Sequence, residues 1–214
     1  FTMIEGVKVY GGFAGNEDPN YDLSQRDFET NPTVLDGQNV QLVLGQRNDF
    51  YIQQTVWDGF SIRNGYSYYG GGAILWTNSK LQNCVFENCQ GNWGGAVGSG
   101  GGQFVNCLFI NNNAYAGGAV FGGEQEFVNC VFRNNTASFG GVYQGGNPRF
   151  VNCLFANNEA YYGGAVFIQG VVKFLNCDIV NNKATSNGGG IYNSWGSSTF
   201  SNCIIWGNKS GINF

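Results

Sequence analysis

The stretch FVNCLFINNNAYAGGAV, residues 104–120, is followed 23 residues later by FVNCVFRNNTASFGGV (127–142) and, after another 23, by FVNCLFANNEAYYGGAV (150–166). Two independent markers carry this spacing along the chain. Gly-Gly pairs begin at Gly71, Gly94, Gly117, Gly140, Gly163 and Gly188, and cysteines stand at Cys84, Cys107, Cys130, Cys153, Cys177 and Cys203. Two residues after each of these cysteines comes Phe86, Phe109, Phe132, Phe155, Ile179 or Ile205. Two further on comes Asn88, Asn111, Asn134, Asn157 or Asn181, until Gly207 breaks the series.

A fixed period of this length signals a solenoid, a propeller or a repeat array. The leucine scaffold of a leucine-rich repeat is missing, as is the 3.6-residue apolar period of a helical repeat, and a propeller blade is nearly twice as long. Short alternating segments such as Cys107-Leu108-Phe109 read as strands broken by Asn and Gly. Three short strands and three bends per repeat make one coil of a parallel β-helix, each coil stacked on the next at about 4.8 Å. Every residue then lies over its counterpart one period away. A phenylalanine column fills the core, Gly-Gly serves a bend, and Asn tolerates left-handed bends while offering hydrogen bonds along the stack. The expected fold is all-β, a right-handed parallel β-helix of about 23 residues per coil.

One domain spanning 1–214 accommodates the pattern, with regular repeats over 61–214 and looser coils over 1–60. VWDGFSIRNG (56–65) fits the repeat with Phe60 in the Cys slot, Ile62 in the Phe slot and Asn64 in the Asn slot. TVLDG (33–37) reads as an earlier coil and 40–51 as a strand. That makes eight or nine coils, a rod of about 40 Å at the spacing of stacked strands. The segments 1–4 and 211–214 are apolar and read as cut mid-coil. Either flanking sequence continues the coils or subunits stack end to end.

Composition narrows the classes of function. The chain has 214 residues, among them 35 Gly and only 3 Pro, and a formal net charge of −4. No cluster of Lys or Arg occurs, which argues against nucleic acid and anionic membranes as partners. No apolar run reaches the length of a membrane span. Histidine is absent, which removes the commonest general base and the His-containing metal sites. No cofactor and no metal are expected.

FINNNAYAGGAV and FRNNTASFGGV resemble the F-x-x-N and G-G-A-[ILV] repeats of the chlamydial polymorphic outer-membrane proteins. KVYGGFAGNE (8–17), RDFETNPTVLDG (26–37), DGFSIRNG (58–65) and SNCIIWGN (201–208) look like bacterial secreted right-handed β-helix proteins, many of which carry a C-terminal sorting or anchoring domain. The resemblance implies an extracellular or cell-surface location and an adhesive or structural role, since most such proteins have no assigned catalytic residues.

Pectate lyases and polygalacturonases share the parallel β-helix, so the fold leaves an enzyme open. Their chemistry needs clustered carboxylates, with calcium in the lyases. Stacking lets columns be read directly. Four residues before each Cys stand Lys80, Gln103, Glu126, Arg149, Lys173 and Thr199, and six after stand Gln90, Asn113, Thr136, Glu159, Lys183 and Lys209. Neither column joins two carboxylates. Glu126 with Arg149 and Glu159 with Lys183 read as inter-coil ion pairs, each worth about 0–1 kcal/mol. Glu124 and Glu126 are the best remaining carboxylate pair, and no catalytic residue is assigned. The acidic loop 16–31, with Glu17, Asp18, Asp22, Asp27, Glu29 and the single balancing Arg26, reads as a solvated insertion in preference to a calcium loop. Asp36-Gly37 and Asp58-Gly59 read as turns.

The cysteine column reads as a ladder of buried thiols. In-register side chains about 4.8 Å apart sit too far apart for a disulfide, and stacked thiolates lack tetrahedral geometry for a metal. Cys89 falls in a slot held by Asn112, Asn135 and Asn158 on later coils and stands out as the thiol to react. Aromatic residues gather just before Gly-Gly: Tyr69, Trp93, Tyr115, Phe139 and Tyr162. Facing outward they form a stripe for sugar rings or a partner; facing inward they are core. The expected partners are therefore a polysaccharide or cell-surface ligand, or further copies of the chain.

Overall fold

A computed structural model describes residues 1–46, 52–76 and 78–211, with Ser99 described by its backbone alone. Its described residues form three parallel sheets of fourteen, eight and seven strands. Consecutive coils pair in register. In the second sheet Val85 lies beside Leu108, Leu108 beside Val131 and Val131 beside Leu154, each 23 residues apart. The step widens to 24 at Leu154–Asp178 and 26 at Asp178–Ile204.

Three left-handed corners turn each coil. Asn83, Asn106, Asn129, Asn152, Asn176 and Asn202 lead into the second sheet with φ of 52–55°. Asn88, Asn111, Asn134, Asn157 and Asn181 lead out of it at 55–58°. Asn is the side-chain-bearing residue that visits this region most readily, hence its recurrence. At the third corner both glycines are required, for different reasons. Gly117 has φ +63°, and a Cβ on it would lie 2.1 Å from Val120 O. Gly118 passes so close to the next coil that a Cβ would lie 2.1 Å from Gly141 O. In the coil at 66–75 it is Gly70, with φ +58°, that takes the first position, so the register starts one residue before the Gly71 expected from the pairs.

Inside, two phenylalanine stacks interlock. Phe86, Phe109, Phe132 and Phe155 stack at 4.8–5.0 Å. Phe104, Phe127, Phe150, Phe174 and Phe200 stack beside them at 4.9–5.3 Å. The two meet edge to face, as at Phe127–Phe132 (5.4 Å), the arrangement the ring quadrupole favours. Polar ladders complete the coil. Each Asn of the column Asn112, Asn135, Asn158, Asn182 is buried and donates its amide to the next Asn and to a core carbonyl, as Asn135 Nδ2 does to Asn158 Oδ1 and Phe109 O, both at 3.0 Å. The Asn83 column forms a second, outer ladder at 3.1–3.2 Å. Its first acceptor is Asp58, which takes Asn83 Nδ2 at 2.8 Å. A carboxylate needs no donor of its own, so it ends a one-way ladder without leaving an amide unpaired.

The N-terminal third departs from the repeat. Residues 11–32 form no strand, and the expected strand 40–51 is realised as Leu44–Gln46, with 47–51 outside the described residues. Of the segments expected to end mid-coil, 212–214 also lie outside them. Seven strands in the third sheet give about seven complete turns, fewer than eight or nine, because the first coils contribute no strand to that sheet. Asp58 is not a simple turn residue: it is 1% exposed and accepts from Arg26 at 2.5 Å and Gln82 at 2.8 Å. Arg26 in turn lies over the rings of Tyr10 (5.0 Å) and Phe28 (5.1 Å), fastening the loop to the coils. The loop's acids cap their own turns, Asp22 accepting from Ser24 N and Asp27 from Thr30 N, both at 2.9 Å.

Candidate functional site

The residues that precede Gly-Gly face outward. On the third sheet Tyr69, Trp93, Ala116, Phe139 and Tyr162 stand in one register, and Tyr115 lies one residue off it. Ala116 is fully buried, and the rings in the coils on either side of it, Trp93 and Phe139, each meet Tyr115. Trp93 and Tyr115 meet edge to face at 6.1 Å, Tyr115 and Phe139 at 5.4 Å, and Phe139 stacks on Tyr162 at 5.9 Å. Tyr115 is about half exposed, and Trp93, Phe139 and Tyr162 are partly so.

The stripe continues around the glycine corner onto the first sheet. There Trp93 packs on Phe121 (4.8 Å), Phe139 on Phe167 (5.3 Å), and Tyr162 on Tyr192 (5.0 Å). Neighbouring outward positions in this sheet run Ile74, Gly98, Phe121, Gln144, Phe167 and Tyr192. At Gly98 the column lacks a side chain. An apolar cavity of about 380 Å³ opens there between Ile74 and Phe121, walled by Tyr69 and Trp76 and floored by Gly98 and Gly100.

Farther along the same strands lies a polar cleft of about 210 Å³, whose lining includes Gln54, Asn78, Gln103, Glu124 and Glu126. Glu124 and Glu126 thus open into one space. Glu126 accepts a hydrogen bond from Arg149 on the next coil, and Glu124 accepts from Asn147 Nδ2 at 3.2 Å. Glu159 pairs with Lys183 Nζ at 2.8 Å on the third sheet. Both ion pairs are substantially exposed, which limits each to about 0–1 kcal/mol.

All seven cysteines are free thiols, buried except for Cys203, which is partly exposed. Their sulfurs rest against backbone carbonyls, Cys107 Sγ at 3.4 Å from Val105 O and 3.5 Å from Leu81 O. Burial pushes the Cys153 thiol up to about 12 and that of Cys107 well above the ordinary value. Cys89 is no reactive thiol: it is fully buried, and burial pushes it up to about 12. Its place at the head of the buried Asn ladder explains the substitution. Its N–H donates to Asn112 Oδ1 at 3.0 Å, and no earlier side chain asks for its amide. Among the described residues no three His, Cys, Asp or Glu converge on a metal position, and no helix is long and apolar enough to cross a membrane.

The cavity and the buried Asp58 were not among the features expected from the sequence. The cavity had a signal, the Ile–Gly–Phe interruption of a column, visible once the columns of the first sheet are drawn. Neither a curated protein nor a solved structure matches the chain. A family model described as a right handed beta helix region matches residues 47–209. That span covers most of the chain and nearly all of the regular repeats, and with it the chain belongs to the right-handed β-helix family.

Proposed function

We propose that the protein is an extracellular, adhesive surface module that holds polysaccharide on its outer aromatic stripe. One observation carries the reading: Trp93, Tyr115, Phe139 and Tyr162 line the outside of consecutive coils, in contact with one another and open to solvent. Flat apolar rings repeated at the coil spacing suit the faces of sugar rings, and a monomeric protein rarely leaves so continuous an apolar band without a partner. The extracellular location rests on the resemblance of the repeats to secreted β-helix proteins.

The test is a panel of polysaccharides scored for both retention and cleavage. Retention should occur without cleavage and fall at least tenfold in a Trp93→Ala, Tyr162→Ala double variant whose unfolding midpoint is unchanged. Retention unaffected by the double variant would overturn the reading. A second reading, a polysaccharide lyase or glycoside hydrolase, has one observation in its favour, the shared cleft of Glu124 and Glu126. Cleavage abolished by Glu124→Gln would establish it. End-to-end stacking of copies is a third element, supported by the uncovered apolar residues Ile204, Ile205 and Trp206 on the last described coil, 51–76% exposed. A further coil of the same chain would cover them equally well. Sedimentation across concentration tests it: association should grow with concentration, and monomers throughout would remove it.

A further inference from the structure

We infer that the gap at Gly98 and the cleft beside it form one binding channel for an uncharged oligosaccharide, with a single sugar ring seated in the gap. The inference rests on the carbohydrate reading above but names a different site and a ligand class. In the outward column each side chain occupies one inter-strand spacing of about 4.8 Å, so Ile74 and Phe121, two strands apart, stand about 9.6 Å apart with one ring's thickness missing. Tyr69 and Trp76 close the sides, and Gly98 and Gly100 leave bare backbone as floor. The vacancy is therefore ring-shaped, apolar and open to the outside.

Its continuation decides the ligand. Phe121 and Glu124 are on one strand, three residues and about 10 Å apart at most. Trp76 lines the gap and Asn78 the cleft. A ligand with one ring in the gap therefore extends across the coil into a space lined by amides and carboxylates. These are the groups that pair with hydroxyls, and an apolar side chain from a protein partner would find nothing there to match. Charge selects further. Arg149 is engaged by Glu126, and Lys80, in the same column, is separated from Glu126 by Gln103, so the cleft itself presents Glu124 and Glu126. Arg149 balances Glu126, so a uronic-acid chain would bring its carboxylates chiefly against Glu124, whose partner is the neutral Asn147 amide. A neutral chain meets no such opposition.

The probes are cellohexaose, xylohexaose, mannohexaose and hexagalacturonate, titrated calorimetrically into the whole chain. At least one neutral hexasaccharide should bind and hexagalacturonate should not. Trp76→Ala, which removes a wall, and Gly100→Leu, which fills the gap, should each weaken binding at least tenfold. Trp76 is exposed enough that its truncation keeps the fold intact should Gly100→Leu disturb it. Glu124→Gln, which takes a charge from the cleft wall, should admit hexagalacturonate. Neutral binding lost in Trp93→Ala but unchanged in Trp76→Ala and Gly100→Leu would overturn this inference and leave the stripe reading standing. Preference of the unaltered chain for hexagalacturonate would overturn it as well, and silence from every saccharide would remove both.

Discussion

At the residue scale the two asparagine ladders make opposite demands on the same side chain. Asn135 is fully buried and serves Asn112 N, Asn112 Nδ2, Phe109 O and Asn158 Oδ1. Asn129 is exposed and bridges Asn106 and Asn152 at a left-handed corner. Asn135→Ala strands several buried groups and should cost about 2–4 kcal/mol, since each unpaired buried group costs about 1–3. Asn129→Ala loses bonds that water replaces and pays about 1–2 kcal/mol for left-handed alanine. Denaturant midpoints of the two variants check the order, and equal losses would contradict it. The thiols give a second test. With Cys89 and Cys153 raised to about 12 by burial, neither forms thiolate at neutral pH. Because burial shields all six other thiols whatever their acidity, a thiol reagent at pH 8 should modify Cys203 first and those six only on unfolding, as mass mapping would show. Rapid modification of Cys89 in the native chain would refute this. The asparagine and cysteine columns were legible because a fixed period turns spacing into contact. The fate of Cys89 was not, since a column outlier looks the same whether it is exposed or heads a ladder.

At the element scale, the contrast lies between the rings inside the sheets and those outside. Phe132 has neighbours stacked on both sides, at 4.8 Å and 5.0 Å, and edge contacts to Phe127 and Phe150. Phe132→Ala should destabilise by about 3–5 kcal/mol, the usual loss for a core aromatic. Phe139→Ala, on the outer face, should cost less than half of that and act instead on ligand retention. Thermal melts paired with retention assays separate the two effects, and a core-sized loss at Phe139 would return the stripe to the core. Which face the stripe takes could not be read from sequence. Strand alternation predicts facing only while parity holds, and each glycine corner resets it. Trp93 and Tyr115 occupy different positions in their coils, with Ala116 rather than Tyr115 in register with Trp93. Alignment on Gly-Gly does place Ala116 beside Trp93, but it misplaces the start of the coil at Gly70 by one residue.

At the scale of the whole molecule, the regular coils hold one another by stacking, while the N-terminal loop is fastened by charge. Arg26 and Asp58 join residues 32 apart, a pairing that no periodicity announces, because the loop 11–32 lies outside the repeat. The Ser24 N–H holds the carboxyl of Asp22 below its usual range, and the Thr30 N–H does the same for Asp27. A lowered folded value means these carboxylates favour the folded loop above about pH 4 and lose that contribution as pH falls through their lower folded values. Limited proteolysis should therefore cut 11–32 sooner at pH 3 than at pH 6, with the regular coils still protected; equal protection at both would contradict the assignment. The central claim, that the outer aromatic stripe is a sugar-binding surface, is tested most directly by tryptophan fluorescence during titration with a retained polysaccharide, in the unaltered chain and in Trp93→Phe. The account predicts a saturable change that is largely lost in Trp93→Phe while binding persists. A change of the same size in both proteins would place the ligand elsewhere and contradict it.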